Sequence, residues 1–396
     1  MCVDARVLEL LQRVLTPERV MQLSKSVKEK LATGLDEFNA VLIKQGGPEL
    51  AKLFAESIAT EVAAFSFPTS WTTWHATLIP KPGKDRCKLS GWREIWIQAH
   101  LWKLVVGAIL PECAEVFART RPWCNAGFEA GRGCPEQSAA LRARLELHMR
   151  LRQPLHIYLQ DYSVFFPSVS RQLVAFILHE LGVSTVSMQI LREVQDQVMG
   201  AFKTAGGPTE LAPMLRGEPI GGVESPLFSL PVAALVQRAL EIYVPGSPLP
   251  SRRELRVAAL QLWYADDGAL ADSIEGVIQT AVDLMIFLSE EILGLKVGHD
   301  VVEASKSASL SWIWDKLRNE FVRGNGTSFK VPLGISREDI ELARAISYRY
   351  LGVDFDPELD INKVEESYRA RASAIVTMIR RTCALSMSLQ AHPGLA

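Results

Sequence analysis

The sequence predicts an α+β fold in which an antiparallel sheet is backed by helices on one face. Three observations lead there. From residue 155 the apolar spacing drops to two, with Ile157 and Leu159 alternating against His156, Tyr158 and Gln160. Residues 257–271, VAALQLWYADDGALA, read as two strands meeting at Ala265-Asp266-Asp267-Gly268. Around them lie stretches with three- and four-residue apolar spacing, so the middle third runs strand–helix–strand–strand–helix–strand.

The elements follow in order. Residues 1–66 carry helical periodicity, interrupted by the breaker FPTSW at 67–71. Ala76 to Ile79 reads as a strand running into the basic turn Pro80-Lys81-Pro82-Gly83-Lys84, and the apolar run 95–110 as a helix. A loop at 123–134 precedes a helix rich in Leu, Ala and charge. After the strand at 155–160 comes the helix VSRQLVAFILHEL, then turn-rich segments at 204–210 and 216–226 and the helix SLPVAALVQRALEIYV. A helix over about 274–293, a Gly-rich strand segment to 302, a hairpin around 323–329, a strand at 348–355 and a helical last forty residues complete the chain.

At 396 residues, 48% apolar and 22% charged, the chain suits two or three lobes around a substantial core. With 43 Lys+Arg against 45 Asp+Glu the net charge is −2, so any phosphate-binding role needs basic residues gathered in a channel and acids on the back. The six cysteines show no C-x-x-C spacing, and Cys124 and Cys134 sit ten apart, which argues against structural zinc and a disulfide framework. The amphipathic, charge-broken N-terminus is not a signal peptide. No uncharged apolar run approaches the ~18 residues of a membrane span. A soluble, intracellular protein without a membrane partner is expected.

Chemistry concentrates at Tyr264-Ala265-Asp266-Asp267. Adjacent carboxylates on an apolar hairpin repel, a cost accepted readily when a divalent cation sits between them. Asp161 ends the strand HIYLQ, where a neighbouring strand brings it beside the hairpin tip. Three such carboxylates form a cage for two Mg²⁺ ions ~4 Å apart. Asp-Asp alone also fits a solvated turn, and an Asp ending a strand also fits a helix cap.

The order of the surrounding pieces resembles the reverse transcriptases of non-LTR retrotransposons over roughly residues 45–356. GPELAKLF and FPTSW resemble the region before the fingers. LIPKPGKD, WREI and Lys103 resemble the fingers motif that grips the incoming triphosphate, and AGFEAGRGCPEQ (126–137) the loop before the palm. DYSVFFPSV (161–169), GEPIGGVESPLF (217–228), YADD, GLKVGHDVVEASKS (294–307) and YLGV (350–353) resemble the palm, template-contacting, metal-binding and primer-grip motifs. No single motif is specific; eight in order are.

The resemblance implies a right-hand polymerase: an N-terminal helical extension (1–70), fingers (71–150), palm (151–310), an insertion or hairpin (311–345) and a primer-grip turn with partial thumb (346–396). It implies an RNA-directed DNA polymerase that extends a DNA primer along an RNA template with dNTPs and two Mg²⁺, for which Mn²⁺ can substitute, in the nucleus or cytoplasm. Asp161 and Asp266 would hold both metals, with Asp267 a nearer-outer ligand. Phe166 would exclude a ribose 2′-hydroxyl; a core aromatic is the other reading of that position. Lys81 and Arg93 would neutralise the triphosphate and Lys306 would protonate the departing pyrophosphate, against the ordinary reading of each as surface charge. Gly221 and Gly222 would let the backbone approach template and nucleotide, and Tyr350, Leu351 and Gly352 would form the primer grip.

The chain departs from the family pattern in two places. Ile220 stands where the template-contacting motif carries Gln, removing an amide's hydrogen bonds. Glu94 follows Arg93 where Pro is usual, setting an acid near the phosphates. A catalytically decayed nucleic-acid-binding relative is the competing expectation. A polymerase making RNA would show Gly-Asp-Asp and no aromatic at Phe166.

Overall fold

The computed structural model describes residues 3–26, 33–129, 131–244, 246–249, 252–257, 260–298, 307–323, 330–331, 340–341, 348–351 and 353–355, some of these by backbone alone. The N-terminal helices form as the periodicity predicts: α1 (Ala5–Val14), α2 (Pro17–Ser26) and α3 (Val41–Ala63). Asp4 caps α1 by accepting from the N–H groups of Arg6 and Val7, and Val7, Leu10 and Leu11 form its buried stripe. Inside α3, Gly47 takes φ 73° immediately before Pro48, which breaks the helical path there.

A short helix, α4 (Thr69–Thr72), leads into the first sheet. Its strands β1 (Thr73–Pro80) and β2 (Trp92–Ile97) pair antiparallel, His75 opposite Ile97. The helix expected from residue 95 therefore begins only at His100, as α5 (His100–Thr120). A continuous apolar run does not tell strand from helix, and here its first residues complete a sheet. On the far side of β1 lies β4 (Met199–Thr204), parallel to it, with β5 (Gly207–Pro208) and β6 (Ala212–Pro213) paired to β4. The first sheet thus takes strands from residues expected in the central 151–310 segment.

The second sheet has the order β12-β11-β3-β10-β9 and every pair is antiparallel. It comprises β3 (Leu155–Gln160), β9 (Leu260–Tyr264), β10 (Asp267–Asp272), β11 (Ala308–Asp315) and β12 (Glu320–Arg323). β11 pairs with β3 as far as Trp312 and runs on to Asp315, so the sheet crosses the expected boundary at 310, and the start of 311–345 forms the β11–β12 hairpin. Helices cover both faces, not the one expected. Leu141 and Leu145 of α6 (Cys134–Leu151) pack with Leu155, Ile157 and Leu159. On the opposite face Tyr158 and Leu270 join Ile278, Val282 and Met285 of α11 (Glu275–Ile286), which continues as one π-turn over Phe287–Ile292. Burial on both sides takes Tyr158 and Gln160 out of solvent together with Ile157 and Leu159. Trp74, Trp102, Trp263 and Trp312 are fully buried, and burial of a large side chain of this kind is worth about 2–3 kcal/mol.

The remaining helices are α7 (Phe165–Ser168), α8 (Arg171–Glu180), α9 (Thr185–Gln195) and α10 (Ser225–Tyr243), with α10 packed against α5, α8 and α11. Three small hairpins complete the described chain: β7 (Ser247–Leu249) with β8 (Arg252–Val257), β13 (Lys330–Val331) with β14 (Ile340–Glu341), and β15 (Tyr348–Tyr350) with β16 (Val353–Phe355). The strand expected up to 302 reduces to a single bridge between Val297 and Tyr162 within the described residues. The observed hairpin near the expected one closes between β11 and β12, while 324–329 and the expected C-terminal helix lie outside the described residues. Among the described residues, no helix is long and apolar enough to cross a membrane.

Candidate active site

The second sheet brings its carboxylates to one end. Asp267 opens β10 opposite Tyr264, which leaves Ala265 and Asp266 as the two residues of the turn. Gly268 lies opposite Gln160, the last pair of that register, so Asp161 and Asp267 both follow at the same end of the sheet. Cross-strand neighbours of an antiparallel pair lie about 5 Å apart and share a face. The three acids are neither buried nor fully exposed. Two ionised carboxylates ~5 Å apart repel by about 3 kcal/mol at the effective dielectric of a protein surface.

Among the described residues, no three His, Cys, Asp or Glu side chains converge closely enough to enclose a metal ion alone. Mg²⁺ does not require such an enclosure. It is commonly held by one or two carboxylates and completes its octahedron with water and substrate phosphate oxygens. An open, half-exposed set of hard oxygen donors fits that chemistry.

Both carboxylate-bearing segments are fixed by main-chain bonds. The Asp161 carbonyl accepts from Gly298 N–H at 2.8 Å, Asp161 N–H faces Ser307 Oγ at 3.3 Å, and Ser163 N–H donates to the Lys296 carbonyl at 2.9 Å. The segment 294–298 and Ser307 thus flank the end of β3; Lys306 itself lies outside the described residues. On the other side, Ala265 holds φ 58°, a left-handed conformation uncommon for a residue with a side chain. Trp263 N–H donates to the Cys124 carbonyl at 2.8 Å and Ala126 N–H to the Trp263 carbonyl at 2.9 Å. Buried Asn125 accepts through Oδ1 from Gly127 N–H at 2.9 Å and Ala265 N–H at 3.3 Å. A Cβ on Gly127 would stand 2.3 Å from Ala265 N, so only glycine allows the loop to come this close. Sequence reasoning read 123–134 as a loop and missed Asn125; the nearest signal was the Gly-Phe pair beside it.

Aromatic rings flank the turn. Exposed Phe128 lies 6.2 Å from Tyr264 and 6.5 Å from Phe166, and Phe166 lies 5.6 Å from Phe165. Phe166 is half-buried and packs against the core. Its carbonyl accepts from Glu218 N–H at 2.8 Å, while Gly217 N–H donates to the Val169 carbonyl at 2.9 Å. The same loop reaches the first sheet, where Trp96 N–H donates to the Ile220 carbonyl at 2.8 Å. Gly221 has φ 106°, and a Cβ there would stand 3.0 Å from the Trp96 carbonyl oxygen. The Gly-rich segment therefore ties β2 to the turn after Asp161, with Ile220 contributing main chain rather than an amide side chain.

Two acids of this loop are buried. Burial pushes the Glu218 carboxyl from 4.5 up to about 8, helped by the Glu224 charge and opposed by Arg171 and a Gln195 hydrogen bond. Burial also raises Glu224, which Gln98 holds at 2.6 Å. The folded state then binds more protons than the unfolded chain between pH 4.5 and 8, so stability falls as pH rises through that window and levels off above it. Glu218→Gln is expected to flatten this slope and to stabilise the chain at pH 8 by a few kcal/mol, read as thermal midpoints at pH 5, 6.5 and 8.

The remaining predicted residues separate. Arg93 lies opposite Ile79, and strand alternation puts Lys81 on the same face, its N–H donating to the Gly91 carbonyl at 2.8 Å. Glu94 pairs with Leu78 on the other face, away from the face that Arg93 shares with Lys81. Lys103 is turned inward: burial lowers its pKa, against the pull of Glu224 and Asp36. Tyr350 is buried and donates its hydroxyl to the Leu262 carbonyl at 3.0 Å, so its side chain belongs to the sheet's core rather than to an open surface. Leu351 forms the turn with φ 48°, and Gly352 lies outside the described residues.

No protein-family model matches the chain. Among solved structures it is similar to telomerase from Candida tropicalis bound to the TWJ fragment of telomeric RNA, with TM-score 0.44 and 12% identity over 61% of this chain and 41% of that one. It is also similar to apo telomerase from Candida tropicalis truncated from its C-terminal domain, with TM-score 0.47 and 11% identity over 82% of this chain and 62% of that one. In both matches the chain spans less than two thirds of the other's length.

Proposed function

We propose that the chain is a nucleotidyltransferase, an RNA-directed DNA polymerase of the non-LTR retrotransposon kind that extends a primer 3′-hydroxyl with dNTPs. The observation that carries this reading is the set of Asp161, Asp266 and Asp267 at one end of an antiparallel sheet, within the ordered motifs of that family. The first sheet takes the role of fingers and the second that of palm.

Asp161 and Asp266 would hold two Mg²⁺ ions, with Asp267 beside them. When bound, the ions supply Lewis-acid stabilisation of the attacking and leaving oxygens. The primer oxygen forms a bond to the α-phosphorus, the bond to pyrophosphate breaks, and the hydroxyl proton leaves to solvent. Lys81 and Arg93 bind triphosphate oxygens from the fingers, and Lys306 gives a proton to the departing pyrophosphate. The Gly217–Glu224 loop, tied to β2 and to the turn after Asp161, supports the template and the nascent pair.

Phe166 has rings on two sides, which leaves it little freedom to yield to a 2′-hydroxyl. Phe166→Val is expected to raise incorporation of NTPs relative to dNTPs on the order of a hundredfold, measured by competing the two nucleotide pools in one extension reaction. The proposed function itself is tested by extension of a DNA primer on a poly-RNA template. Wild type is expected to add dNTPs and to use NTPs poorly. Folded wild type that binds primer–template without extending it sinks the enzyme reading and leaves a nucleic-acid-binding protein.

A further inference from the structure

The carboxylate-bearing turn depends on a residue far from it in sequence. Ala265 takes a left-handed conformation at the first turn position, which a side chain does not favour. The hydrogen bond from its N–H to Asn125 Oδ1 meets that conformation in a site where Asn125 is 1% exposed. Asn125 is itself fixed from two directions: its Oδ1 accepts from Gly127 N–H, and its Nδ2 donates to buried Gln237 Oε1 of α10 at 3.3 Å. Residues 124–126 run parallel to β9 as an added edge, bonded to Trp263 on both sides of Asn125. The side-chain bond therefore reaches the turn from a rigid base.

We infer that Asn125 is a positioning residue for the metal-binding turn: its Oδ1 holds Ala265 in the left-handed conformation that presents Asp266 and Asp267. Asn125 touches neither substrate nor metal. The inference rests on the polymerase reading for its catalytic consequence, but the positioning itself can be measured without activity.

Three chains are compared: wild type, Asn125→Ala and Asn125→Asp. The aspartate variant keeps an acceptor for both N–H groups, and Gln237 can turn its amide to donate, because its Nε2 has no hydrogen-bond partner. Two measurements are made, amide hydrogen exchange at Ala265 and half-saturating Mg²⁺ in primer extension. Asn125→Ala is expected to speed exchange at Ala265 roughly tenfold and to raise the Mg²⁺ requirement by about the same factor, as loss of one hydrogen bond allows. Exchange in the strand centres β3 and β10 stays at the wild-type rate. Asn125→Asp keeps the acceptor and is expected to hold Ala265 exchange within about threefold of wild type at acidic pH, where burial and the neighbouring acids keep its carboxyl neutral. Unchanged exchange at Ala265 in Asn125→Ala overturns the inference. Faster exchange without a shift in the Mg²⁺ requirement overturns its catalytic half. A wild type that extends nothing refutes the polymerase reading instead, and exchange still decides whether Asn125 holds the turn.

Discussion

Asp266→Ala is expected to lose at least ~10³-fold in the rate of nucleotide addition while folding at least as stably as wild type. The loss follows from its proposed role as a metal ligand: Asp161 and Asp267, the acids beside it, would already serve the same ions. Removing one stabiliser of transition-state charge typically costs 10²–10³-fold, and loss of a metal ligand costs at least as much. Stability moves the other way. The variant removes one of three like charges, and after discount for partial exposure this relief is on the order of 1 kcal/mol without metal. Single-turnover extension and urea unfolding in EDTA read the two effects separately. A variant that is both inactive and markedly unstable would assign Asp266 a structural role instead.

Gly217→Ala is expected to produce the largest loss of stability among single substitutions in the site. Gly217 has φ 83°, and a Cβ built there would lie 2.4 Å from the Pro167 carbonyl oxygen and 2.6 Å from Pro167 Cα. Both neighbours are backbone, so neither can rotate away. Left-handed strain and overpacking each cost about 1–3 kcal/mol, which sums to roughly 2–6 kcal/mol. Since the Gly217 N–H also binds the Val169 carbonyl, the displacement transmits to the Phe166 turn and extension falls with stability. Urea unfolding reads the first effect. A loss below about 1 kcal/mol would mean that the loop simply shifts away from Pro167, and the proposed tie between loop and catalytic turn would fail with it.

What was legible in the sequence was local. β3 shows a period of two and the β9–β10 hairpin a two-residue turn between apolar strands, and both lie where the pattern sets them. Their last registered pair, Gln160 and Gly268, sets Asp161 and Asp267 at the same end of the sheet. β2 was hidden because its residues continue without a break into the apolar start of α5, where periodicity does not separate strand from helix. β4 was hidden because a parallel partner more than a hundred residues from β1 leaves no mark in its own segment. Glu218 and Glu224 look like solvated acids in a turn-rich stretch; only the packing of α8, α9 and β2 around the loop reveals that they are buried. Asn125 carries its role in one tertiary hydrogen bond, and composition and spacing report nothing of such bonds. Tyr350 was read by its motif, whereas its large ring filled the sheet's core.

The central claim is that these carboxylates form a metal-dependent nucleotidyl-transfer site. Its most direct test is the addition of one dNTP to a primer on an RNA template across a Mg²⁺ titration, with wild type and Asp161→Asn side by side. The account expects wild-type addition to depend on Mg²⁺, to rise more steeply than one bound ion allows, and to vanish in Asp161→Asn at every concentration. Addition that survives in Asp161→Asn, or a folded wild type inert with both Mg²⁺ and Mn²⁺, would contradict it.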